Sequence, residues 1–128
     1  MEEYSDTAVI VVYPATQAGT IAPDTTELCT ASDNTQELNL IGSVGSIQWQ
    51  LASNTDGSTP IFTNITDSTR TQLIAKNLTT GHSDTTYYYY RAAVESGGVC
   101  DTVYSDTAVI IVYPTTVGGT ITPDTTEL

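Results

Sequence analysis

The chain has 128 residues, with fifteen Asp and Glu against only Arg70, Lys76 and Arg91, for a formal net charge of −12. That balance excludes nucleic acid as a partner, because binding a polyanion depends on Lys and Arg displacing its counterions, and it disfavours an anionic membrane surface. No run approaches the roughly 18 apolar residues of a membrane span, so no membrane insertion of this segment is expected, and the length suits one ordinary domain plus flanks.

The first element in chain order is the apolar run Val9 to Tyr13, ending at Pro14. Its whole neighbourhood, residues 4–28, returns at 104–128 with five changes in 25 positions: Val11/Ile111, Ala15/Thr115, Gln17/Val117, Ala18/Gly118 and Ala22/Thr122. Near-identity at a fixed offset marks a tandem array cut across one period. Residues 1–13 then carry the last strand of a preceding repeat, 14–118 one repeat, and 119–128 the start of the next. The orphan strand at 4–13 exposes backbone that would augment a sheet edge, in its own domain or on a neighbouring copy.

Beyond Cys29, apolar and polar residues alternate with period two in short runs parted by Gly, Asn, Asp and Ser, the pattern of strands joined by turns. Leu38 and Leu40 alternate with Glu37 and Asn39, and Ile47, Trp49 and Leu51 alternate with Gln48 and Gln50. Trp49 is expected in the core and the two glutamines on the opposite face. Turns are expected at 42–45 and 54–58. Further strands are expected at 61–65, 71–75 and 87–94. Tyr87 to Tyr90 must place two rings on each face, and Val103 to Tyr113 reads as the final strand. About seven short strands argue an all-β, antiparallel two-sheet sandwich.

Taken together, Leu28-Cys29, Ile47 to Gln50, Ser53 to Gly57, Tyr87 to Cys100 and Tyr104 to Pro114 resemble the immunoglobulin-like repeats of giant Bacteroidota surface adhesins, of the gliding-motility type. The resemblance implies an immunoglobulin-like fold, the cell outer surface as location, neighbouring repeats of the same chain as partners, and a part in adhesion without enzyme activity. Four tyrosines before Arg91 exceed the one or two usual in that family.

In the exported setting so implied, the only two cysteines, Cys29 and Cys100, are expected to form a disulfide from an edge of the sandwich; the alternative is two free thiols, one at each end. No cofactor is required. Calcium, which takes oxygen ligands, is the ion that Asp24, Glu27, Asp101, Asp106, Asp124 and Glu127 would collect near the repeat joints. Outward members of the tyrosine run, Tyr87 and Tyr89 with Arg91, are the candidates for contact with a surface glycan. An Asp-Thr/Ser pattern similar to the O-glycosylation sequon of exported Bacteroidota proteins marks Thr7, Thr25, Ser68, Thr85, Thr102, Thr107 and Thr125. His82, the single histidine, has no nucleophile motif beside it and reads as a solvated loop residue, so no catalytic group is assigned.

Overall fold

A computed structural model describes residues 2–31, 33–54, 61–80 and 84–128. Nine strands are found among them: β1 Thr20–Ala22, β2 Thr25–Cys29, β3 Thr35–Ile41, β4 Ser46–Asn54, β5 Thr63–Asn64, β6 Gln72–Lys76, β7 Thr86–Glu95, β8 Val103–Tyr104 and β9 Ala108–Tyr113. They form two sheets packed face to face and not closed into a barrel. The smaller has the order β1-β3-β6, and the larger runs β2-β9-β7-β4-β5 with β8 also on β7. All pairs are antiparallel except β2 with β9.

Period-two patterning explains which side chains fill the space between the sheets. From the smaller sheet come Ile21, Leu38, Leu40, Leu73 and Ala75, and from the larger Trp49, Tyr90, Ala92, Val94, Ala108, Ile110 and Val112. Trp49 is fully buried and its indole Nε1 donates to the Arg70 carbonyl at 2.7 Å. A buried indole N–H left unpaired would be costly, so this bond fixes the 65–70 loop against the core. Gln48 and Gln50 lie on the far face of β4, as the alternation requires.

One chain segment serves both sheets. β1 pairs with β3; after the cis Ala22–Pro23 peptide the backbone crosses over, and β2 runs parallel to β9. The expected continuous strand from Val103 to Tyr113 is broken. Between the pairs Ala93↔Tyr104 and Tyr90↔Ala108 there are two residues on β7 and three on the other side, so one extra residue bulges at 105–107. Ser105 closes the bulge: its amide donates to the Ala92 carbonyl at 2.9 Å, and its Oγ accepts the Ala92 amide at 2.8 Å.

Two further expectations are corrected. The 61–65 strand shortens to Thr63–Asn64, and the orphan segment 4–13 forms no strand and augments no sheet edge of its own domain. The turn expected at 54–58 lies, beyond Asn54, outside the described residues, as does His82.

Candidate functional site

The outer face of the larger sheet gathers the aromatic candidates. β7 turns Tyr88 and Tyr90 inward, where the Tyr88 hydroxyl donates to the Thr79 carbonyl at 2.6 Å, and leaves Tyr87 and Tyr89 half-buried on the outside. The two outer rings stack with centroids 6.4 Å apart and an interplanar angle of 18°. Their register partners Ile111 and Val109 on β9 flank them, so the pair forms an apolar platform and not isolated tips.

Arg91, the third candidate, is engaged within the fold. Its guanidinium lies between the rings of Phe62 and Tyr104, 4.1 and 4.0 Å from their centroids, and Nε donates to Gln50 Oε1 at 2.8 Å. Both aromatic rings are thereby engaged with the cation. Beside it lies an open, shallow groove of about 380 Å³ lined by Gln48, Gln50, Asn64, Glu95, Thr102 and Tyr104. Sequence reasoning did not find the partners of Arg91, because Phe62 and Tyr104 reach it only through the strand order.

The carboxylates do not converge. Asp106 Oδ1 accepts the Ile21 amide at 2.9 Å, and Glu27 accepts the Tyr113 hydroxyl at 2.8 Å. That bond pushes the Tyr113 phenol above its ordinary value. Asp101 sits in the loop after β7, and Asp124 and Glu127 lie on the strandless tail. Among the described residues no three His, Cys, Asp or Glu side chains are grouped as metal ligands would be.

The expected Cys29–Cys100 bridge is corrected: both thiols are free. Cys29 pairs with Tyr113, level with the start of β7, while Cys100 follows the end of β7, where its amide bonds the Ser96 carbonyl. The ten residues of β7 separate the two levels, roughly 30 Å at the rise of a strand. A disulfide needs Cα atoms about 4.4–6.8 Å apart.

The Asp-Thr/Ser positions are scattered. Thr7, Thr25, Thr107 and Thr125 are exposed, as is Thr102, whose hydroxyl donates to Glu95; Ser68 and Thr85 are half-buried.

Residues 17–114, most of the chain and all nine strands, match the family described as Domain of unknown function (DUF8696). The chain belongs to that family. The matched span begins at Gln17 and ends just past β9, so it coincides with the two-sheet unit and leaves both flanks outside. No curated protein matches the chain.

Proposed function

We propose that the chain is a non-enzymatic structural repeat of a large cell-surface adhesin, an immunoglobulin-like module whose tandem copies extend a filament and transmit attachment or gliding traction. One observation carries the reading. Residues 108–113 are a strand with Ala108, Ile110 and Val112 fully buried, yet their sequence copy at 8–13 lies unpaired with Val9, Ile10 and Val12 between 76% and 88% exposed. A sequence that lies inside a sheet in one copy and stands unpaired and mostly exposed in the other is what half of a neighbour would look like. The strand order, with one segment split between β1 on one sheet and β2 parallel to β9 on the other, further supports an immunoglobulin-like assignment. Outer-surface location is part of the same proposal, resting on the resemblance.

The test is autonomy. A chain trimmed to residues 14–118 is expected to fold and unfold cooperatively, and failure to fold would sink the repeat. A second reading, recognition of a surface glycan through many weak copies, is supported by the stacked Tyr87–Tyr89 platform; Tyr87→Ala with Tyr89→Ala should then abolish retention on a polysaccharide column without unfolding the protein.

A further inference from the structure

Although residues 4–13 make no strand, they end in a defined contact. The Tyr13 ring lies so close on Gly97 that a Cβ at position 97 would overlap ring atoms Cγ, Cδ2 and Cε2. Gly97 and Gly98 both hold positive φ, 67° and 74°, in the tight turn closed by the Cys100 amide on the Ser96 carbonyl. Any other residue at 97 would therefore be strained and would also evict the ring.

The chain is caught again four residues on. Gln17 and Val44 exchange two backbone hydrogen bonds, at 3.1 and 2.8 Å, at the same end of the sandwich, next to Gly45, which abuts the Glu95 carbonyl. Only Pro14, Ala15 and Thr16 lie between the two attachments, and the proline has a fixed φ. Thr16 Oγ1 is buried with no hydrogen-bond partner. Three residues clamped at both ends leave little freedom to swing.

The duplication says whose residue Tyr13 is. It is the copy of Tyr113, the last residue of β9, which stands at the opposite end of the sandwich beside Glu27 and Cys29. We infer that the Gly97–Gly98 turn is the docking site for the outgoing tyrosine of the preceding repeat, so that successive repeats meet at a seated knuckle and not through a free linker. The inference rests on the tandem-array reading. Each repeat carries a receiving glycine turn at its incoming end and a tyrosine at its outgoing end. The same seating accounts for thiols at opposite ends: Cys29 of one repeat and Cys100 of the next belong to one joint.

The experiment uses the 128-residue chain with Cys29→Ser and Cys100→Ser, adding Tyr13→Cys and Gly97→Cys. A Cβ at 97 would overlap Tyr13 Cγ, which is one bond from Tyr13 Cβ, so the two Cβ atoms would lie no more than about 4 Å apart, within reach of a disulfide after a small adjustment. With oxidised glutathione as disulfide donor, the two thiols lose two protons and two electrons, the protein S–S bond forms, and two glutathione thiols are released. Intramolecular bonding, read as a mass loss of two hydrogens in a monomer, is expected; a folded variant that stays reduced overturns the inference.

Should the double variant fail to fold, Tyr13→Ala and Tyr13→Phe decide. The upfield ring-current shift of the Gly97 α protons is lost in the first and kept in the second, and a shift unchanged in Tyr13→Ala overturns the contact. Trimming separates the two readings. If 14–118 folds but no 13–97 bond forms, the repeat stands and the seated joint falls. If the bond forms but 14–118 does not fold, residues 4–13 belong to this domain and not to a neighbour's strand.

Discussion

Asp106 and Ile21 are joined across 85 positions of sequence: the carboxylate Oδ1 accepts the Ile21 amide at 2.9 Å and so ties the bulge between β8 and β9 to the centre of β1. β1 is the first strand in chain order. Ile21 is itself buried.

Asp106→Ala leaves a part-buried amide without its acceptor, a loss of about 1 kcal/mol that lowers the thermal midpoint by a few degrees. Asp106→Asn keeps an oxygen in place and should cost less. Thermal unfolding of the three proteins checks the order, and an alanine variant as stable as the parent would show that β1 is held by its strand pairing alone.

Much of the architecture was legible because burial on one face imposes period two: Leu38, Leu40, Trp49 and Tyr90 are buried where alternation puts them. Where a contact depends on strand order, local patterning carries no signal. Arg91 sits between Phe62 and Tyr104, and Asp106 read as a candidate ion ligand when its oxygen in fact accepts a backbone amide. The bulge at Ser105 was hidden because Val103 to Tyr113 stays compatible with a strand on both sides of it. The cysteines misled for a different reason. An even count speaks to compartment and parity, whereas bridging is decided by distance, and the length of β7 separates them.

Two free thiols at opposite ends predict indifference to reductant. Thermal midpoints with and without dithiothreitol should coincide, and both cysteines should react with a thiol reagent, the exposed Cys29 faster than the half-buried Cys100. A midpoint that falls on reduction would mean a bridge that this arrangement forbids within one module.

Dispersed carboxylates predict a similar indifference to calcium. Asp106 and Glu27 already accept protein hydrogen bonds at separate places, and a calcium site requires about six to eight oxygens converging at 2.3–2.6 Å. Millimolar calcium against a chelator should leave the midpoint of this chain unchanged beyond the small effect of ionic strength on a protein of net charge −12. A saturable rise would instead mean that carboxylates from the two flanks come together.

Alkali should unfold the protein through Tyr90. Burial, and after it the neighbouring Tyr88, pushes the Tyr90 phenol well above its ordinary value of 10.0. The folded chain therefore keeps a proton that the unfolded chain releases above about pH 10. This group's contribution is fully present below that pH and is lost as pH rises toward the folded value, at no more than about 1.4 kcal/mol per pH unit for one proton. Urea midpoints should hold level from pH 7 to 9 and then fall. Tyr90→Phe keeps the ring in the core and removes the titrating hydroxyl, so its midpoint should fall less steeply above pH 10. Parallel decline in the two proteins would assign the alkaline loss to other groups and to the accumulating negative charge.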